Sequence, residues 1–206
     1  MAKRSKSSSR WLERQRRDPF VRRAAEEKLG SRAHFKLSAL DRRFRLVRSD
    51  SLVLELGAAP GGWTRYLAGK ARRVVALDRL PMEVPQGVEF AQVDVHADDF
   101  DAVLDALLAG DGVDLVLSDM APNISGVRVA DQAASMELVE LATHIARQRL
   151  NPGGHLVVKM FQGEGVDAWL KDARTVFEKV VLAKPEASRK DSREVYGVAM
   201  RFTKPD

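Results

Sequence analysis

The residues best suited to chemistry are a lysine and several carboxylates placed where apolar runs end. Lys159 follows Val157-Val158 and precedes Met160-Phe161. Asp78 closes the run Val74 to Leu77, Asp94 the run Val88 to Val93 and Asp119 the run Val113 to Ser118, while Glu194 opens a run that reaches Phe202. A lysine flanked by apolar residues loses hydration, which favours the neutral amine and a role as general base. A second cation such as Lys36 acts in the same sense, and carboxylates such as Asp119 and Glu194 oppose it. The plainer alternative is a structural salt bridge between Lys159 and Glu194. Each acid also has two readings. Asp78 suits the hydroxyls of a ribose, or it is solvated surface. Asp94 suits an adenine amino group, or it caps the next helix. Asp119 precedes Met120-Ala121-Pro122-Asn123 and borders two ligands at once, or it forms a turn.

These side chains need a scaffold that gathers strand ends, and residues 52–63 announce one. Leu52 to Leu56 reads as a buried strand, Gly57 ends it, Pro60-Gly61-Gly62 turns the chain, and Trp63 to Leu67 starts a helix. Strand, glycine loop and helix let a ligand approach bare backbone. The spacing is not that of the dinucleotide fingerprint, and the loop lacks the Gly-Lys-Ser/Thr of a phosphate-binding loop. Glu55, two residues ahead of Gly57, either accepts hydrogen bonds from a ligand or orients the loop.

Around this unit the pattern alternates. A helix is expected over 31–47, with Ser31 as N-cap and Leu37, Leu40, Phe44 and Val47 on its apolar face; Lys36 lies beside that stripe. Further strands are expected at 73–77, 88–93, 113–118, 156–158, 176–183 and 194–202, with helices near 63–70, 100–108, 131–150 and 166–174. In the long helix Leu138, Leu141, Ala142 and Ile145 are assigned to the buried face, and Asn151-Pro152-Gly153-Gly154 stops it. Repeated βα units imply a parallel sheet with helices on both faces. The link 184–193 is too short and polar for a helical crossover, so the last strand should run antiparallel. Its first residue, Glu194, then falls at the edge where parallel sheets bind ligands, beside Gly57, Asp78, Asp94, Asp119 and Lys159.

Composition narrows the partners. The chain has 206 residues and no cysteine, so disulfides and thiolate metal sites are excluded. No apolar run is long enough to span a membrane, the N-terminus lacks the apolar core of a secretory signal, and the absence of cysteine fits cytoplasmic residence; the protein is separately expected to be a monomer. Residues 1–48 hold 16 Lys/Arg and 5 Asp/Glu, a net of +11; the remainder holds 18 and 24, a net of −6, and the two give the overall +5. Residues 1–30 read as a basic, flexible arm in which Trp11 and Phe20 lie among arginines. Cations for phosphates and rings for bases suit RNA; the alternative is a solvated tail whose aromatics dock on the body.

Several motifs in fixed order add a resemblance. Ser-Ser-Ser-Arg-Trp-Leu (7–12), Ser-Arg-Ala-His-Phe-Lys-Leu (31–37), Leu-Gly-Ala-Ala-Pro-Gly-Gly-Trp (56–63), Leu-Pro-Met (80–82), Ser-Asp-Met-Ala-Pro-Asn (118–123), Val-Val-Lys-Met-Phe-Gln-Gly-Glu-Gly (157–165) and Ser-Arg-Glu-Val-Tyr (192–196) span nearly the whole chain. It resembles the FtsJ/RrmJ family of ribose 2′-O-methyltransferases, in particular the bacterial members acting on large-subunit (23S) ribosomal RNA. The resemblance implies a Rossmann-like class I fold dependent on S-adenosyl-L-methionine, with seven strands, the last antiparallel. It implies a catalytic tetrad of Lys36, Asp119, Lys159 and Glu194, and cofactor positions at Gly57, Gly61, Trp63, Asp78, Asp94 and Asp119. Glu55 stands where close relatives carry aspartate. The implied substrate is a uridine of the A-loop in the assembled 50S particle, and the sulfonium donor leaves no need for a metal. A transfer-RNA or cap methyltransferase, or a non-catalytic assembly factor that binds RNA, are the alternatives; the complete tetrad speaks against the last.

Overall fold

The computed structural model describes residues 18–27, 29, 31–189 and 191–203. Trp11 and most of the basic arm lie outside these residues, as does Lys190. The elements run α1 (Pro19–Glu26), α2 (Ala33–Phe44), β1 (Leu52–Leu56), α3 (Gly62–Ala68), β2 (Arg73–Asp78), β3 (Val88–Gln92), α4 (Phe100–Leu108), β4 (Val113–Ser118), α5 (Arg128–Arg149), β5 (Leu150–Phe161), α6 (Val166–Ala173), β6 (Phe177–Ala183) and β7 (Glu194–Phe202).

The strands form one seven-stranded sheet in the order β3-β2-β1-β4-β5-β7-β6. β7 runs antiparallel to both its neighbours, and the paired strands from β3 through to β5 are parallel. β1 is buried along its whole length, as a central strand covered on both faces must be. On one face α4, α5 and α6 pack through residues such as Leu104, Val139 and Trp169. On the other, α2 and α3 pack through Leu37, Leu40, Trp63 and Leu67.

Three local features position the site. The first is the close approach of α2 to α3. A Cβ on Gly62 would lie 2.2 Å from Ser31 Oγ, so only glycine lets the two helix starts meet. Trp63 Nε1 then donates to Ala33 O at 2.8 Å. The second is Asp41, which closes the far end of α2. Its carboxylate accepts from the amides of Leu46 and Val47 and from the Tyr66 hydroxyl. Burial resists ionisation of Asp41, but these donors and Lys70 outweigh it and hold the carboxyl below its usual range. The third is Glu55, buried in β1 and accepting from Thr64 Oγ1 at 2.8 Å. It ties β1 to α3, the loop-orienting role of its two readings.

Differences from the expected pattern have physical causes. Residues 19–26, placed in a flexible arm by composition, form a helix in which Ala24 is buried and Phe20 packs on Phe35 with ring centroids 5.5 Å apart. Leu138 and Leu141 are only half-buried, while Ala142 and Ile145 are buried as expected; the buried stripe of α5 also takes in Ser135, Val139 and Ala146, spaced at helical intervals from one another. β5 begins six residues early, because Asn151 to Gly154 bulges out of a strand that is already paired: Val113 faces Leu150 and Leu115 faces His155.

Burial, aided by the charges of Asp119 and Asp78 and only partly offset by Thr64, pushes Glu55 up to about 8. In the unfolded chain it ionises near its ordinary 4.5, so between these values the folded state binds more protons. Its contribution to stability is whole below pH 4.5 and is lost as pH rises through about 8, at up to about 1.4 kcal/mol per pH unit. Glu55→Gln, which keeps an acceptor for Thr64, should flatten this decline. Urea unfolding of both proteins across that range checks it, and parallel pH profiles would contradict it.

Candidate active site

The carboxyl ends of β1, β2 and β4 border a cavity of about 450 Å³, within the span of about 300–1,000 Å³ typical of small-molecule and cofactor sites. Gly57, Asp78, Asp94, Asp119 and Lys159 line it. Asp78 engages one oxygen with the amide of Ala59 and the other with that of Leu80, both at 2.8 Å. It thereby fixes the glycine loop, and each oxygen keeps a lone pair for a ligand hydroxyl. Asp94 accepts from the His96 amide at 3.0 Å, a turn ahead of α4, whose N-cap is Asp99; the helix-capping reading is therefore not met, and Asp94 lines the cavity. Gly57 has φ +78°, and a Cβ there would lie 2.8 Å from Met120 N and Cγ.

Gly61 and Trp63 are placed differently. Neither lines this cavity. Gly61 caps α3 at φ +96°, and Trp63 is buried between α2 and the sheet, packed on Tyr196 with centroids 5.7 Å apart. They shape the loop from behind.

A second cavity, of about 320 Å³, opens beside the first and is lined by Arg32, Lys36, Arg189, Asp191, Ser192 and Glu194. The four tetrad residues divide between the two. Lys159 and Asp119 belong to the acidic cavity, Lys36 and Glu194 to the basic one. Lys159 Nζ lies 3.0 Å from Asp119 Oδ1 and also donates to the Asp119 carbonyl. Lys36 Nζ donates to Glu194 Oε2 at 3.0 Å. Burial opposes ionisation of Glu194 more than any other single influence, yet Lys36 and Lys159 together overcome it and hold the carboxyl below its usual range. The structural salt bridge imagined between Lys159 and Glu194 is replaced by these two pairs.

Tyr196 joins the pairs, and the residue-by-residue reading of the sequence did not single it out. It sits opposite Lys159 in the β5–β7 register. Its hydroxyl donates to Asp119 Oδ1 at 2.9 Å, and Lys36 Nζ lies 5.7 Å from its ring centroid. Burial first, then the negative charges of Asp119 and Glu194, raise its phenol well above the ordinary value, so it remains a donor. The signal was present: Tyr196 is two residues after Glu194 on one strand, hence on the same face. Asp131 was also unmarked. Its carboxylate accepts from Ser125 N and Oγ at 2.7 Å and shapes the loop after β4.

Comparison with known proteins settles the lineage. The model of FtsJ-like methyltransferases matches residues 29–202. The chain belongs to that family. It is 54% identical over 204 residues to the ribosomal RNA large subunit methyltransferase E of Stutzerimonas stutzeri, covering 97% of this chain and 98% of that one. It is 52% identical over 203 residues to the protein of the same name from Marinobacter nauticus, with the same coverage. A crystal structure described as a ribosomal RNA methyltransferase from Plasmodium falciparum superposes with a TM-score of 0.77 at 27% identity, over 85% of this chain and 99% of that one. A Streptococcus mutans protein described as a methyltransferase in complex with SAH shares the fold, with a TM-score of 0.52 at 13% identity over 77% and 90%.

The acidic cavity fits S-adenosylmethionine, the methyl donor of such enzymes. Asp78 keeps free lone pairs toward it, Gly57 leaves bare backbone, and Leu77, Val93, Val95 and Leu138 supply apolar wall. Among the described residues no group of His, Asp and Glu is arranged to hold a metal ion, and no helix is long and apolar enough to cross a membrane.

Gly57→Ala should cost about 1–2 kcal/mol of backbone strain and push the Met120 loop into the cavity. The expected result is at least tenfold weaker binding of S-adenosylhomocysteine by calorimetry. Wild-type affinity in the variant would mean that the loop does not approach the ligand.

Proposed function

We propose that this chain transfers a methyl group from S-adenosylmethionine to a ribose 2′-hydroxyl of large-subunit ribosomal RNA. The observation that carries this reading is a pair of buried lysines, each bonded to a half-buried carboxylate, on the walls of an acidic and a basic cavity. Two lysines and two carboxylates there face both a donor and an incoming sugar. The donor supplies a methyl group already made electrophilic by its sulfonium.

The residues of this chain do the rest. Lys159, once it has given up its own proton, would accept the proton of the 2′-hydroxyl as that oxygen takes the methyl group and the donor's sulfur leaves as the neutral thioether. Asp119 holds the amine in place, and Tyr196 in turn holds Asp119. Lys36, at the wall of the basic cavity, stabilises the oxygen as it loses its proton, and Glu194 positions Lys36. Alignment of oxygen, carbon and sulfur along one line is the main service of the rigid strand ends. Arg32, Arg42, Arg43, Arg45, Lys184, Arg189, Arg193 and, outside the described residues, Lys190 would track the RNA backbone. The motif resemblance extends the proposal to a uridine of the A-loop in the assembled 50S particle, acted on by a cytoplasmic monomer.

Lys159→Ala should lower the single-turnover rate by about 10²-fold or more, with donor affinity changed far less. A near-normal rate would remove Lys159 as the base, and lost RNA binding with intact chemistry would make it a substrate anchor. Labelled methyl incorporation into large-subunit particles, followed by mapping of the modified nucleotide, tests the substrate; incorporation into transfer RNA alone would overturn it. Particle affinity should also fall by more than about tenfold between 50 and 200 mM salt. A flat salt profile would refute the role of the arginines.

A further inference from the structure

Two arginines that line the basic cavity already hold an anion supplied by the chain itself. Asp18, the N-cap of α1, uses Oδ1 to accept the Phe20 amide at 3.0 Å. Its Oδ2 receives Arg32 Nη1 and, at 3.4 Å, Arg189 Nε. Arg32 stands at the start of α2, and Arg189 in the loop between β6 and β7. The two guanidinium groups therefore reach one oxygen from different parts of the fold. Arg32 Nη2 also donates to the Ala187 carbonyl, fixing that loop against α2. The side chain of Asp18 is only 9% exposed.

The fit is incomplete. Arg32 Nε and Arg189 Nη2 are buried and have no hydrogen-bond partner, and neither does the neighbouring hydroxyl of Ser188. Buried donors are normally satisfied, and each one left open is costly. A carboxylate with one oxygen committed to a helix cap cannot serve all of them. A phosphodiester brings two free oxygens, each with several acceptor positions, and matches guanidinium forks as carboxylates do. The same arginines line the cavity with Lys36 and Glu194, where the target ribose is expected. The flanking phosphate of that nucleotide would lie within this wall.

Resting on the RNA reading above, we propose that Asp18 occupies the seat of a substrate phosphate between Arg32 and Arg189, and that RNA binding displaces it. The carboxylate keeps two half-buried cations balanced in the free protein. It also weakens binding to RNA in general, because any phosphate that enters must first remove it. A phosphate placed by a correctly seated ribose does so with the help of the other contacts in the cavity.

Asp18→Asn and Asp18→Ser test this, since both residues cap helices about as well as aspartate. The first removes the charge, and the second also withdraws from the arginines. Binding of unmethylated large-subunit particles is measured across 50–200 mM salt, with circular dichroism and melting temperature confirming the fold. The expected result is about three- to tenfold tighter binding at low salt, larger for Asp18→Ser. The dependence of log affinity on log salt should steepen by about 0.7–0.9, one extra phosphate contact. Adding Arg32→Ala to Asp18→Ser should cancel the gain. Equal or weaker particle binding by both folded variants, at an unchanged slope, would overturn the proposal alone and leave Asp18 as a brace for the arginines. Absence of any salt-dependent particle binding by the unaltered chain would overturn the RNA reading and this proposal with it.

Discussion

The site depends on two buried ammonium groups. Lys36 is 7% exposed and Lys159 is 8% exposed. Taking such a charge out of water costs several kcal/mol unless an opposite charge and hydrogen bonds replace the lost hydration. Each lysine has a carboxylate at 3.0 Å, and the two carboxylates come from other elements. Lys36 on α2 needs Glu194 on β7, and Lys159 on β5 needs Asp119 after β4. The charge requirement therefore fixes how four segments meet. Tyr196 reinforces this, because its hydroxyl can satisfy Asp119 only if β7 sits against β5 in the observed register.

That register explains the one antiparallel strand. A parallel β7 would deliver its last residues to the ligand edge. Running the other way, it delivers Glu194 opposite Phe161 and Tyr196 opposite Lys159. Inserting β7 between β5 and β6 places it beside the strand that carries the lysine. The insertion is tight. A Cβ on Gly197 would lie 2.4 Å from the Trp169 ring, so the strand can lie this close to α6 only with glycine there. The same segment thus packs the core through one end and completes the active site through the other.

Much of this is legible in the sequence, for a definable reason. Apolar runs ended by a polar residue mark buried strands and their rims at once, so local pattern alone places β1, β4, β7 and the rim residues Gly57, Asp78, Asp119 and Lys159. The short polar link 184–193 is enough to turn the last strand round. What periodicity does not provide is phase and partner choice. Leu138 reads as core because it is leucine, yet it faces the cavity beside Glu137. Trp63 reads as a ligand position through its motif, and local pattern gives no sign that its ring lies in the core on Tyr196. The pairing of Lys159 with Asp119 rather than Glu194 follows from strand order, which local patterns do not encode. The helix at 19–26 is hidden by charge: a segment rich in arginine looks solvated until Arg32, which grips its N-cap Asp18, and the ring of Phe35 give it something to dock on.

The two cavities also sort their ligands by sign. The donor cavity presents Asp78, Asp94, Asp119 and Glu137 against Arg79 and Lys159, an excess of acid that suits a sulfonium compound carrying net positive charge. The second cavity presents Arg32, Lys36 and Arg189 against Asp191 and Glu194, an excess of base that Asp18 offsets in the free protein and that its displacement would open to a phosphodiester. Fields of opposite sign in adjoining clefts favour the right occupant in each and oppose exchange between them. In the resting protein the tetrad pairs each lysine with a carboxylate, so it repels neither ligand as it arrives. A net charge there of either sign would strengthen one cavity at the other's expense. The pairing that makes burial of the lysines tolerable is thus also what allows a cation and a polyanion to approach the same few ångströms of protein.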